Sequence, residues 1–223
     1  DKNLADSEEM LGLLTGNGHE IVDSEEEADA IVINTCCFIH DAKEESVNTI
    51  LEMAEYKKTG TCKILIVTGC MAQRYKEEIT EEIPEVDAVL GTTSYGDIVK
   101  ALNEAEAGHV FQEFKDINAL PEDSGRRVIT TGGHYGYLKI AEGCDKHCTY
   151  CIIPSLRGKF RSVPEERLLK QAEYMASQGV RELILVAQET TVYGTDLYGK
   201  KTLHILLKKL CQIKGIRWIR VLY

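Results

Sequence analysis

Three short apolar runs, each followed by a stretch with helical spacing, constrain the first hundred residues more than any other feature. The runs are Ala30-Ile-Val-Ile33, Lys63-Ile-Leu-Ile-Val67 and Asp87-Ala-Val-Leu90. A strand apolar on consecutive residues must be covered on both faces, which is the condition of a parallel sheet flanked by helices. After the first run, Asp41-Ala-Lys-Glu44 reads as a capping-box helix start. Val47, Ile50, Leu51 and Ala54 then recur at helical period and predict the buried face. The order helix, strand, helix, strand, helix, strand, helix gives an open, mostly parallel α/β domain over residues 1–104. A further strand is expected before Asp1, and both ends of the sequence read as cuts into a longer protein.

Residues 105–127 lack a clear pattern and hold Gly108, Pro121, Ser124 and Gly125, so they read as a linker. A second α/β run occupies residues 128–223. Tyr137-Leu-Lys-Ile-Ala141 and Glu182-Leu-Ile-Leu-Val186 read as strands, and a third begins at Ile216 and runs through Trp218 to Tyr223. Pro164-Glu165-Glu166 opens a helix with Leu168, Ala172 and Met175 on one face, and a second helix covers about residues 201–213. Repeated βα units of this kind predict the first part of a (β/α) barrel of TIM type, incomplete with three strands.

Eight cysteines are present, at 36, 37, 62, 70, 144, 148, 151 and 211. No charged segment precedes an apolar one as in a secretory signal, so metal or redox chemistry is the better expectation than a disulfide framework. Cys144-Asp-Lys-His-Cys148-Thr-Tyr-Cys151 follows a predicted strand directly. Three thiolates so close in sequence can grip three corners of an iron–sulfur cube and leave the fourth iron open. Zinc would need a fourth ligand, and His147 is bonded to Cys148, from where its side chain reaches the same ion with difficulty. A disulfide would leave one cysteine over. Cys36 and Cys70 each end a predicted strand, and ligands gather beyond the carboxyl ends of parallel strands. Their spacing alone leaves two readings open: metal ligation, or ordinary buried cysteines. Cys211, on a helix with Leu207 and Leu210, reads as core, and no role is expected of Cys37 or Cys62.

The C-x₃-C-x₂-C spacing after a first barrel strand resembles the radical S-adenosylmethionine superfamily. That resemblance implies a [4Fe-4S] cluster on Cys144, Cys148 and Cys151, with S-adenosylmethionine bound at the open iron and cleaved by one electron. It also implies that Tyr150 lies near the adenine, with core packing as the plainer alternative, and that Gln188, in Ala187-Gln-Glu-Thr190, holds the cofactor. Lys2-Asn3-Leu4, Asn34-Thr35-Cys36 and Gly69-Cys70-Met-Ala-Gln-Arg74 further resemble the amino-terminal domain of the methylthiotransferases. The family resemblance implies a second [4Fe-4S] cluster on Cys36 and Cys70, with its third cysteine before Asp1.

Two substrate classes follow from the family: an adenosine beside the transfer RNA anticodon, and the β-carbon of an aspartate in ribosomal protein S twelve. Lys2-Asn-Leu-Ala-Asp-Ser-Glu8, Ile152-Ile-Pro-Ser-Leu-Arg-Gly158 and Ala187-Gln-Glu-Thr-Thr-Val-Tyr-Gly194 resemble the ribosomal-protein branch. Charge agrees with it. Residues 1–125 carry 28 acidic and 9 basic side chains, whereas residues 126–223 carry 8 and 17. An acidic half repels phosphates and attracts a basic protein, although the basic half leaves nucleic-acid contact open as a secondary interaction. A reductant protein is the other expected partner. No apolar run approaches the roughly 20 residues of a membrane span, and a cytoplasmic location is expected.

Overall fold

The structure, a computed structural model, describes residues 1–122 and 125–222. Ser124 of the expected linker and Tyr223 of the expected last strand therefore lie outside the described residues. The first unit is built from α1 (Lys2–Gly16), β1 (Ala30–Thr35), α2 (His40–Thr59), β2 (Ile64–Gly69), α3 (Cys70–Glu82), β3 (Ala88–Leu90), α4 (Ile98–Glu106) and β4 (Phe111–Glu113). Its four strands are parallel and lie in the order β1-β2-β3-β4. The stretch expected to link the two units thus also adds a strand to the first sheet. Three residues are too few for a periodic signal.

Both faces of this sheet are covered, as the continuous apolar runs require. Ile50 and Ala54 of α2 and Ile79 of α3 pack with Leu65, Val67 and Val89 on one side. Met10 of α1 and Ile98, Ala101 and Leu102 of α4 pack with Ile64, Ile66, Ala88 and Leu90 on the other. β2, at the centre, is buried at every residue. Two local expectations are corrected. The second helix starts at His40 without a side-chain cap, so Asp41 does not act as one. Its buried line is Ser46, Ile50 and Ala54, one residue per turn, while Leu51 lies about 100° round the helix and is exposed.

The second unit holds β5 (Tyr135–Lys139), β6 (Ala141–Glu142), α5 (Ile153–Arg157), β7 (Arg161–Ser162), α6 (Glu165–Ser177), β8 (Glu182–Val186), α7 (Thr195–Tyr198), α8 (Leu203–Leu210) and β9 (Trp218–Val221). β5, β8 and β9 form a parallel sheet in that order, and β6 and β7 pair antiparallel. Leu168, Ala172 and Met175 of α6 and Leu206 and Leu210 of α8 cover the sheet. These are parallel βα repeats of the partial-barrel kind. Cys211 departs from expectation: it follows α8, turned away from the Leu206–Leu210 line, and is exposed.

Candidate functional site

Both cysteine sites follow the same local construction: a strand end, a left-handed glycine, then the cysteine. Gly69 (φ +93°) precedes Cys70, and a Cβ there would meet Asn34 Oδ1 and the Thr35 carbonyl oxygen at 2.5 Å. Gly143 (φ +69°) precedes Cys144, and a Cβ there would meet the carbonyl oxygens of Lys159 at 2.1 Å and Gly158 at 2.5 Å. Only glycine meets both demands, positive φ and close backbone approach. The Cys144 amide then donates to the Gly158 carbonyl at 3.1 Å, and the Cys151 amide closes a turn on the Cys148 carbonyl at 3.0 Å.

The three cysteines of this loop are free thiols: Cys148 is exposed, Cys144 and Cys151 half-buried. Among the described residues, no group of three or more His, Cys, Asp or Glu side chains is gathered closely enough to hold a metal ion. The loop carries the donor set without converging its sulfurs. Tyr150 is 91% exposed, which corrects the core-packing alternative for it. Gln188 follows β8, and both polar atoms of its carboxamide are buried with no hydrogen-bond partner. A buried carboxamide without partners costs free energy unless something supplies them. Lys146 of the cysteine loop pairs with Glu189, next to Gln188, so the loop is tied to the end of β8. Three thiols on one loop, and an orphaned carboxamide at the strand end to which that loop is tied, fit a [4Fe-4S] cluster and a polar cofactor by donor chemistry.

Cys36 and Cys70 each follow the end of one of two neighbouring strands. β1 and β2 run in register to Thr35 opposite Gly69, so the two cysteines leave adjacent strand ends. Thr35 Oγ1 donates to the Thr68 carbonyl at 2.6 Å and accepts from the Met71 amide at 3.2 Å, locking that edge. Ser46 brackets Cys36, its hydroxyl accepting from the Cys36 amide and donating to the Cys36 carbonyl. Cys70 is fully buried, and burial pushes its thiol up against the opposing pull of Arg157. Cys37 is buried beside this edge and its thiol is pushed up to about 11, first by burial and then by Cys70.

Sequence reasoning missed the polar cluster between the two sites. Asp6 on α1, Lys139 on β5, Glu142 on β6 and Arg157 on α5 are all buried. Lys139 pairs with Asp6, and with Glu142 at 2.5 Å. Arg157 pairs with Asp6 at 3.1 Å and approaches Glu142 at 3.6 Å. Burial pushes Glu142 up, but Lys139 and Arg157 outweigh it and hold the carboxyl at about 2. Nothing local marks these residues, because charged side chains in sequence read as solvated. From the start of α1, Lys2 Nζ donates to the Ala187 carbonyl at 3.3 Å, beside Gln188.

The chain thus has two α/β units, the second with a three-cysteine loop after β6, the layout of a radical S-adenosylmethionine unit with an added amino-terminal domain. Residues 138–222 match the model of the Radical SAM superfamily, and residues 1–91 match that of Uncharacterized protein family UPF0004. The ribosomal protein uS12 methylthiotransferase RimO of Lachnoclostridium phytofermentans is 65% identical over 223 residues, which are 100% of this chain and 51% of that protein. The protein of the same name from Clostridioides difficile is 51% identical over 222 residues, 100% of this chain and 50% of its own length. The two ends of the chain thus match separate models, and the chain is similar along its whole length to methylthiotransferases while spanning about half the length of the curated relatives it matches. The fold is also similar to that of a solved radical S-adenosylmethionine methyltransferase, TsrM, from Kitasatospora setae, with a TM-score of 0.51 at 10% identity, over 85% of this chain and 42% of that one.

Proposed function

We propose that the protein transfers a methylthio group to the β-carbon of an aspartate in ribosomal protein S twelve. The observation that carries the reading is the Gly143–Cys151 loop, which bears three free thiols and is tied by the Lys146–Glu189 pair to the strand end that carries the partnerless carboxamide of Gln188. The 65% identity to a relative named for that reaction supports the substrate. The net charge of −19 on residues 1–125 favours a basic protein over a phosphate backbone. Residues 1–113, which end in β4, act as the amino-terminal domain, 114–127 as the connection and 128–223 as the start of the barrel.

Cys144, Cys148 and Cys151 hold one [4Fe-4S] cluster, leaving one iron free of protein ligands. Cys36 and Cys70, with a third cysteine expected before Asp1, hold a second. When bound, such a cluster supplies the electron that cleaves the sulfonium of S-adenosylmethionine. The chain's own residues place the reactants. Gln188 offers one acceptor and two donors to the charged amino-acid end of the cofactor. Tyr150 presents an exposed ring on which an adenine can stack. The Lys146–Glu189 pair holds the cysteine loop against the end of β8. A reductant protein supplies electrons, the location is cytoplasmic and nucleic-acid contact is secondary. Among the described residues no helix is long and apolar enough to cross a membrane.

The test uses the full-length protein, reconstituted anaerobically with iron and sulfide and incubated with S-adenosylmethionine, a reductant, and either ribosomal protein S twelve or transfer RNA. Mass spectrometry is expected to find the methylthio group on an aspartate of the protein, and none with Cys144→Ala. Modification of the RNA alone overturns the substrate assignment. Modification that survives Cys144→Ala overturns the site.

A further inference from the structure

We propose that Arg157 is a positioning residue for the amino-terminal metal centre, bound to it through the sulfur of Cys70. The inference rests on the reading of Cys36 and Cys70 as cluster ligands. Arg157 is 2% exposed and lies 87 residues along the chain from Cys70, yet its Nε donates to Cys70 Sγ at 3.3 Å. The rest of the guanidinium is equally committed. Nη1 donates to Asp6 Oδ2 at 3.1 Å and Nη2 to Asn3 Oδ1 at 2.9 Å. Asn3 in turn donates to the Thr35 carbonyl at 3.2 Å, next to Cys36. Each nitrogen of a rigid planar fork thus has its own acceptor, an arrangement a lysine ammonium on a flexible stem cannot reproduce.

The helix that carries Arg157 belongs in sequence to the barrel but in packing to the first unit. Leu156, its neighbour, is buried in the same core cluster as Cys37 and Cys70. The Leu156 carbonyl accepts from Thr92 Oγ1 at 2.9 Å. This helix begins two residues after Cys151. One short segment therefore runs from the last thiol of one candidate centre to the buried sulfur of the other. Arg157 sets the environment of Cys70 and, through five intervening residues, the placement of the Cys144–Cys151 loop relative to it.

The chemical consequence concerns charge. A ligating sulfur gains negative charge when its cluster is reduced. An N–H donor and a cation beside that sulfur stabilise the reduced form and raise the reduction potential. Arg157 donates to the sulfur directly, whereas Lys2, the other cation within electrostatic range of Cys70, sends its Nζ to the Ala187 carbonyl at 3.3 Å.

The experiment uses full-length protein in which Cys144, Cys148 and Cys151 are all replaced by alanine, so that only the amino-terminal centre assembles. Iron content and an EPR-monitored redox titration are compared for this parent and for the same protein carrying Arg157→Met or Arg157→Lys. The expected result is a potential shifted to more negative values in Arg157→Met and by less in Arg157→Lys. Loss of the cluster from a folded Arg157→Met protein also supports the role. A parent and an Arg157→Met variant with equal iron and equal potential overturn it. Should Arg157→Met fail to fold, an Arg157→Lys variant with the parent's potential overturns it as well. A parent that takes up no cluster overturns the Cys36–Cys70 reading first, and the Arg157 role with it.

Discussion

Glu8 on α1 and Arg127, 119 residues later, form a two-pronged ion pair: Nε and Nη2 of the guanidinium donate to Glu8 Oε2 at 2.8 and 2.6 Å. The other carboxylate oxygen accepts from the amide and hydroxyl of Thr130 at 2.7 and 2.8 Å. The carboxylate is fully buried and satisfied at both oxygens. Removing it leaves a buried guanidinium without its counter-ion. Glu8→Ala is expected to destabilise the protein by about 3–5 kcal/mol, read from chemical denaturation midpoints. A loss below about 1 kcal/mol, the range of exposed pairs, would show that this contact does not hold the two units together.

The Asp6–Lys139–Glu142–Arg157 cluster makes stability depend on acid pH. Glu142 is held at about 2 against an ordinary value of 4.5. Its folded form therefore binds fewer protons than its unfolded form. The contribution is complete above about pH 4.5 and is lost as the pH falls toward 2. Denaturation midpoints of the parent and of Glu142→Gln, measured from pH 6 down to about 2.5, should converge as the pH drops. Parallel curves would mean that the carboxylate is not held in its charged form.

Gly143 tests whether the cysteine loop depends on backbone approach. Gly133 also has positive φ (+80°) but open space around it, whereas a Cβ at Gly143 meets two carbonyl oxygens. Gly133→Ala carries the conformational cost alone, about 1–2 kcal/mol. Gly143→Ala carries that cost plus a backbone clash. It is expected to lower iron uptake per chain and the melting temperature together, with Gly133→Ala leaving iron uptake unchanged. Equal effects from the two would remove the close approach at Gly143 as a cause.

Gln188 should separate stability from binding. Gln188→Met removes two buried, partnerless polar atoms. Relief of that burial is expected to leave stability unchanged or raise it by about 1 kcal/mol. Loss of hydrogen bonds to a charged ligand, worth about 1.5–3 kcal/mol, weakens S-adenosylmethionine binding about tenfold or more. Thermal denaturation of the unloaded protein and calorimetric titration of the reconstituted protein measure the two effects. Unchanged affinity would take Gln188 out of the site.

Local pattern was enough for most elements and for the position of the cysteine loop. Continuous apolar runs marked β1, β2 and β3 because both faces of the sheet are covered. The Leu168–Ala172–Met175 line marked the buried face of α6, and all three residues are fully buried. The placing of Cys36 and Cys70 at neighbouring strand ends was legible because parallel strands in register bring their carboxyl ends to one edge. Packing overrode pattern at Leu51 and Cys211, where apolar spacing extended one residue past the buried line.

From sequence alone came the α/β alternation, the three-thiol spacing and the family resemblance. These are properties of neighbouring residues or of short periodic repeats. Only the tertiary structure decided that Asp6, Glu8, Lys139, Glu142 and Arg157 are interior, and that Arg157 reaches Cys70. Asp6 meets its partners 133 and 151 residues away in the chain. A charge is stable inside a protein only where an opposite charge meets it there. That meeting is a property of the folded chain, and no local periodicity records it.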